Sequence, residues 1–203
     1  MKSVTTTKLI LSTIIGLACC EMVLAQVRFS DDVTHTYEKP IRTILIDAQT
    51  ITEGCRIEIH VRDSNLLVVA NDQSRWFPFY SGEHYQQQIL VSGSPENDDI
   101  DVYGIHPDIE DLSLEILGLD GEDNIRVHSI FPTTIRGGGM NDRLYGGFAN
   151  DVIYGGPGND VIEGRAGEDR LVGDDGDDQI WGHSGADSLS GGAGCGSVEW
   201  RGG

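Results

Sequence analysis

Carboxylates at a fixed interval dominate the C-terminal third of this sequence. An aspartate recurs every nine residues, with a glycine five residues before it and an aliphatic residue two residues after it. The six aspartates are Asp142, Asp151, Asp160, Asp169, Asp178 and Asp187. Carboxylates serve as acid–base groups, nucleophiles or metal ligands. Constant spacing over many copies indicates a repeated structure that presents the same oxygen atoms again and again.

Seven consecutive nine-residue units make up residues 137–199, from GGGMNDRLY to GGAGCGSVE. Glycine is first in all seven, aspartate is sixth in six, and an aliphatic residue is eighth in all seven. Such self-similarity is typical of a stacked solenoid. Glycines at positions one, two and four allow tight turns, and the last three positions predict a short strand with one side chain facing inward. Two units then form one flattened coil, and stacked coils pair their strands in parallel about 4.8 Å apart.

This coil places each turn on the turn eighteen residues away. The aspartates then meet in pairs: 142 with 160, 151 with 169, 160 with 178, and 169 with 187. Paired carboxylates repel each other unless a cation lies between them. Carboxylate and carbonyl oxygens suit Ca²⁺, whereas Mg²⁺ demands a tighter octahedron and transition metals prefer His or Cys. We therefore expect Ca²⁺ at these turns, with backbone carbonyls as further ligands. The candidate glycines are Gly137, Gly146, Gly155, Gly156, Gly158, Gly164, Gly167, Gly173, Gly176, Gly182 and Gly185.

The array resembles the hemolysin-type (RTX) calcium-binding nonapeptide repeat, G-G-x-G-x-D-x-U-x, which residues 155–162 match in full. The resemblance implies a right-handed parallel β-roll with Ca²⁺ held between successive turns on each edge. Three kinds of departure occur. Position four lacks glycine in two units, position two lacks it in three, and Gly196 replaces the last aspartate, so the site above Asp178 lacks its second carboxylate.

Degenerate units precede the array. Residues 118–126 fit the template nineteen residues before Gly137, so Asp123 is predicted to stack on Asp142 as a fifth site. Residues 93–101 fit more loosely, with Asp98 in the aspartate position. We interpret residues 93–136 as irregular coils of the roll; the alternative is a separate acidic linker.

Residues 26–92 form a predicted β-rich N-terminal cap. Runs rich in Ile, Val and Leu predict strands over residues 41–47, 55–61, 65–70 and 86–92, and Asp63-Ser64-Asn65 predicts a hairpin turn. The aromatic cluster at residues 76–80 is interpreted as closing the open end of the solenoid. The alternative is a surface for a sugar or a protein partner.

The first 25 residues have the features of a Sec-type signal peptide. Lys2 and Lys8 bracket its positive region, residues 9–17 are largely apolar, and residues 23–25 predict cleavage after Ala25. A membrane anchor and a lipoprotein are the alternatives, although the apolar run is shorter than the roughly 20 residues of a spanning helix. We expect a secreted, extracellular mature chain with no membrane span. It would retain Cys55 and Cys195, which the sequence leaves free to pair or not.

The net charge and the sequence motifs disfavour several classes of partner and of enzyme. The formal net charge is −19, and residues 93–136 and 137–199 each carry an excess of nine acids over bases, which disfavours nucleic acid and anionic lipid as partners. Calcium ions are the expected partners, and any protein or cell-surface partner is left open. No H-E-x-x-H motif is present.

We therefore expect a non-enzymatic, exported calcium-binding protein, structural or adhesive, whose roll folds on calcium. The alternatives are a small glycosidase-like hydrolase using Glu53, Glu58 or Glu83, and a fragment of a larger exported protein.

Overall fold

The described part of the protein is built from β-strands. The computed structural model describes residues 26–32, 41–48, 54, 56–62, 65–70, 73–78, 86–104 and 112–199, and these hold seventeen strands and no helix. None of this part of the chain therefore forms a helix long and apolar enough to cross a membrane.

The strands form two sheets. The first sheet has the order β1-β2-β6-β8-β10-β12-β14-β16, and the second has the order β17-β15-β13-β11-β9-β7-β3-β4-β5. The strands of the first sheet are β1 Gln26–Asp32, β2 Ile41–Asp47, β6 Gln86–Ser92, β8 Leu112–Asp120, β10 Thr133–Gly139, β12 Val152–Tyr154, β14 Arg170–Val172 and β16 Ser188–Ser190. Those of the second are β3 Arg56–Arg62, β4 Asn65–Ala70, β5 Gln73–Pro78, β7 Asp99–Gly104, β9 Asn124–Ser129, β11 Arg143–Tyr145, β13 Val161–Ala166, β15 Gln179–Ser184 and β17 Ser197–Glu199. From β5 onward the chain alternates between the sheets, as in a parallel β-roll.

The register of the strands confirms the eighteen-residue coil. In the array Ile135 pairs with Ile153, and Leu144 pairs with Ile162, both in parallel ladders. The preceding coil is one residue longer, because Ile116 pairs with Ile135. Ile125 follows Ile116 by nine residues, but Ile135 follows Ile125 by ten, so the extra residue lies in the turn between β9 and β10.

Both sheets continue through residues 93–136 and into the N-terminal region. Strand β6 pairs in parallel with β2 and β8, and β7 pairs in parallel with β3 and β9. The predicted strands at 41–47, 65–70 and 86–92 coincide with β2, β4 and β6, and Arg62 pairs with Asn65 across the predicted hairpin. The sheets end in antiparallel strands on this side, β1 against β2 and β5 against β4.

The core is a narrow row of aliphatic side chains between the two sheets. The eighth residues of five successive units, from Leu144 to Ile180, are fully buried, and Leu189 packs against them as a partly buried side chain. Upstream coils extend the row through residues such as Ile135, Ile116 and Ile89. One inward side chain per nine-residue unit contributes roughly 1.5–3 kcal/mol of burial. The turns must therefore supply much of what fixes the structure.

Candidate metal centres

The aspartates form two columns along the edges of the roll. On the first edge, the Asp142 N–H donates to Asp160 Oδ1 at 2.8 Å, and the Asp160 N–H donates to Asp178 Oδ1 at 2.9 Å. On the second edge, the Asp151 N–H donates to Asp169 Oδ1 at 2.8 Å, and the Asp169 N–H donates to Asp187 Oδ1 at 3.0 Å. The stacking expected from the repeat is present. In each of these bonds, the backbone N–H of one aspartate donates to the aspartate carboxylate of the next coil.

The first-edge column extends upstream of the array. The Asp123 N–H donates to Asp142 Oδ1 at 2.8 Å, which gives the stacking expected for the degenerate unit. The Asp98 N–H in turn donates to Asp123 Oδ1 at 2.8 Å. On the second edge Thr133 takes the aspartate position and donates its N–H to Asp151 Oδ1 at 2.8 Å.

The second oxygen of most of these carboxylates has no protein partner. The aspartates concerned are almost completely buried, at 1–2 % exposure. Their Oδ2 atoms have no hydrogen-bond partner among the described residues; they belong to Asp123, Asp142, Asp160, Asp169 and Asp178. A buried polar atom left unpaired is costly and calls for a ligand or a proton.

Each such oxygen points into a cradle lined by the first glycine of its own unit. A Cβ atom added to Gly137 would collide with Asp142 Oδ2 and with the carbonyl oxygen of Gly155, one coil further on. Gly155 stands in the same relation to Asp160 Oδ2 and Gly173 O. Carboxylate and carbonyl oxygens therefore converge on a space that any side chain at the first position would fill. The other first-position glycines in such cradles are Gly118, Gly146, Gly164 and Gly173, whereas the atoms nearest to Gly182 all belong to Asp187.

The remaining candidate glycines have a different role. A Cβ atom on Gly156 would collide with Gly138 O, and one on Gly176 would collide with Gly158 O, so these turns lie directly on the backbone of the preceding coil. Their positive φ angles, 106° and 144°, also favour glycine. Gly158, Gly167 and Gly185 make equally close approaches to the coil before them.

Non-glycine residues keep the turn geometry where the repeat departs from its pattern. Arg165, Asp174 and His183 at position two have φ angles of 72°, 73° and 64°, and Met140 at position four has 76°. The left-handed region costs an ordinary residue roughly 1–2 kcal/mol. These substitutions therefore leave the turn intact at the expense of local strain.

Burial raises the pKa values of the aspartates. Burial, followed by the nearby Asp123 and Asp160 carboxylates, raises the pKa of Asp142 to about 8, against the hydrogen bond from the Asp123 amide. The pKa of Asp123 is raised to about 7 and that of Asp160 to about 6, again mainly by burial. The pKa values of Asp169 and Asp178 are raised for the same reason. These carboxylates favour a positive charge beside them.

The donor set fits a hard cation. In the described ranges, no three His, Cys, Asp or Glu side chains converge on one point, so a bound ion would also need backbone carbonyl oxygens. An all-oxygen set of this kind suits Ca²⁺, which accepts six to eight oxygens in flexible geometry. Metals that prefer thiolate or imidazole ligands are poorly matched.

Three other turns differ from the common pattern. Asp187 is 9 % exposed and lies against Gly182. Gly196 lies over the backbone of Asp178 and brings no carboxylate. Asp151 Oδ2 accepts a hydrogen bond from the Gly147 N–H at 2.6 Å, and burial raises the pKa of this carboxyl to about 7.

Several sequence expectations lie elsewhere. Cys195 is an exposed free thiol in the last coil, whereas Cys55 lies outside the described residues. Glu58 forms an ion pair with Arg56 at 2.8 Å. The signal segment, Glu53 and Glu83 also lie outside the described residues, as do the side chains of the aromatic cluster.

The comparison with known families agrees with this geometry. The RTX calcium-binding nonapeptide repeat matches residues 136–171 and 163–194, in four copies. No curated protein and no solved structure matches the chain. The coils that carry Asp98 and Asp123 precede the matched residues.

Proposed function

We propose an exported structural or adhesive protein whose roll folds when calcium binds, on the premise that residues 136–171 and 163–194 match the RTX calcium-binding repeat. The coarser part of this function, calcium binding by a structural repeat, follows from the family match. Export, adhesion and calcium-dependent folding belong to the proposal.

The unpaired Oδ2 atoms carry the proposal. Five nearly buried carboxylates each direct an oxygen without a partner in the described part of the chain into a glycine-lined cradle. On the first edge Asp123, Asp142, Asp160 and Asp178 would hold the ions, with carbonyl oxygens such as those of Gly137 and Gly155. On the second edge Asp169 and Asp187 would do so, and Asp151 is the remaining candidate. Calcium supplies the positive charge that lets adjacent carboxylates stay ionised and close.

The charge balance supports folding on calcium. Residues 93–199 carry 23 acids and 5 bases, a net charge of −18, around a core that narrows to one side chain per unit in residues 137–199. Without a cation, the carboxylates must be protonated or must repel each other in a buried setting, and both oppose folding near neutral pH. Millimolar calcium occurs outside cells, and extracellular modules bind it with Kd values of about 10⁻⁴–10⁻³ M. The signal-like residues 1–25 are consistent with this location.

A calcium titration followed by circular dichroism tests the proposal. We expect residues 26–203 to gain β-sheet signal cooperatively as calcium replaces chelator, and magnesium at the same concentration to produce a smaller gain. A chain that is fully folded in chelator, with no change on adding calcium, would contradict calcium-dependent folding. The N-terminal sequence of the native protein tests export separately, since we expect it to begin near Gln26.

A further inference from the structure

The turns of the roll fall into two classes according to their second residue. In seven of them this residue has a positive φ: Leu119, Gly138, Gly156, Arg165, Asp174, His183 and Gly192. The five carboxylates with an unpaired Oδ2 among the described residues all belong to turns of this class. Two described turns form the second class, because their second residues, Ser94 and Gly147, do not have a positive φ.

The backbone conformation of the second residue determines which acceptor its own N–H group contacts. In the first class, the Gly138 N–H donates to Gly155 O at 3.0 Å, and the Gly156 N–H donates to Gly173 O at 3.1 Å. The amide thus points to the neighbouring coil and leaves the aspartate Oδ2 facing the cradle. In the second class, the amide turns inward onto the carboxylate of its own turn.

Asp151 shows the second class on the second edge. Its Oδ2 accepts the Gly147 N–H at 2.6 Å, and its Oδ1 accepts the Thr133 N–H at 2.8 Å. Both oxygens of Asp151 therefore have hydrogen-bond partners within the protein, and these two bonds partly offset the burial of the carboxylate. The Gly147 amide takes the place at Oδ2 that is unpaired at Asp142.

Asp98 shows the same arrangement at the start of the first-edge column. The Ser94 N–H donates to Asp98 Oδ2 at 2.6 Å, and the Ser94 hydroxyl donates to Asp98 Oδ1 at 2.7 Å. Two different residues, a serine and a glycine, thus make the same contact from the second position of a turn.

The extra residue in the preceding coil explains the Asp151 turn. Residues 127–132 contain one residue more than the corresponding turns of the array, and this changes the surface on which residues 146–151 stack. The Phe148 N–H donates to Ser129 O at 2.9 Å, and the Phe148 side chain is 61 % exposed. Glycine can adopt a positive φ at little cost, but the contact of this turn with Ser129 is accompanied by a hydrogen bond from the Gly147 N–H to Asp151 Oδ2.

We propose that calcium occupies only the turns of the first class and bypasses Asp98 and Asp151, where an amide of the turn itself replaces the ion. This rests on the proposed function and specifies which turns carry it out. The first edge then has a continuous row of sites from Asp123 to Asp178, whereas the second edge begins at Asp169. The two edges of one roll therefore bind unequal numbers of ions.

Matched substitutions in equilibrium dialysis with calcium test this division. Asp142→Asn and Asp160→Asn should each remove at least one ion per chain at saturation. Asp98→Asn and Asp151→Asn should keep the wild-type number. Circular dichroism at saturating calcium shows whether each variant is folded when its ions are counted.

The outcomes separate the two proposals. If Asp151→Asn loses as many ions as Asp142→Asn, the division between turns is wrong although the chain still binds calcium. A wild-type chain that binds no calcium overturns the proposed function and this inference with it. If Asp151→Asn fails to fold, Asp151→Thr repeats the test, because Thr133 already occupies this position of the column. Its matched control is Asp142→Thr, which should lose an ion.

Discussion

Replacing Asp160 by alanine removes a carboxylate that would take part in two successive calcium sites on the first edge, one with Asp142 and one with Asp178. Asp160 Oδ1 accepts the Asp142 N–H, and its Oδ2 faces the cradle of Gly155. Losing the acceptor leaves a buried amide unpaired, at a cost of about 1–3 kcal/mol. Each calcium site contributes about 1.4 kcal/mol when free calcium is about tenfold above Kd, so the two sites shared with Asp142 and Asp178 contribute about 3 kcal/mol. We expect Asp160→Ala to lower the free energy of unfolding by about 4–6 kcal/mol in calcium.

Asp187→Ala is the matched comparison. Asp187 also accepts an amide, that of Asp169, but it ends its column and takes part in one site. Urea unfolding of both variants in calcium should therefore differ by about 1.4 kcal/mol, with Asp160→Ala the less stable. This difference should shrink as free calcium is lowered, because the metal contributions fall while the burial of the two carboxylates, 1 % and 9 % exposed, stays the same. A difference that does not change with calcium concentration would refute the two-site reasoning.

Three further perturbations have definite expected outcomes. Gly155→Ala should weaken calcium binding in a dialysis titration without removing a carboxylate, because the new methyl group would fill the cradle between Asp160 Oδ2 and Gly173 O. Leu119→Gly should raise the melting temperature, because Leu119 has a φ of 89° and glycine removes a strain of about 1 kcal/mol from the folded state. Gly156→Ala is the control; it introduces the same strain at a φ of 106° and should lower the melting temperature. In chelator, the β-sheet signal in circular dichroism should be larger at pH 5 than at pH 8. The pKa of Asp142 rises from 3.8 to about 8 on folding and that of Asp123 to about 7, so the folded chain binds more protons and loses stability as the pH rises through this window. Calcium should reverse the order, because it binds the deprotonated carboxylates, and a pH dependence of the same sign in calcium and chelator would contradict this.

The regular part of the roll could be predicted from spacing alone. A strict period makes every coil repeat the same contacts, so the eighteen-residue register and the stacking of Asp142 on Asp160 follow from counting. The stacking of Asp123 on Asp142 could be predicted in the same way, because the nineteen residues between them are one coil of eighteen plus one inserted residue. The strands β2, β4 and β6 were recognisable from their aliphatic runs.

Spacing alone could not predict whether the aspartate Oδ2 of an individual turn is paired with an amide of that turn. Residues 146–154 fit the repeat and offer glycine at position two, but the amide of Gly147 satisfies Asp151. The cause lies in the preceding coil, whose extra residue changes the stacking surface, and a local pattern does not contain that information. Conversely, Leu119, Arg165 and His183 depart from the pattern but hold the left-handed conformation that the stacked backbone imposes.

The strict alternation of the two edges has a consequence for changes in chain length. Each nine-residue unit passes from one sheet to the other, so inserting or deleting a single unit transfers every later turn to the opposite edge. Inserting or deleting eighteen residues keeps each turn on its own edge and in its own column. Because one column begins with Asp98 and Asp123 and the other with Thr133 and Asp151, the two kinds of length change are not equivalent. Duplication in this protein should therefore be tolerated in steps of one full coil, and the pair of units is the module in which such a roll can be lengthened, shortened or engineered.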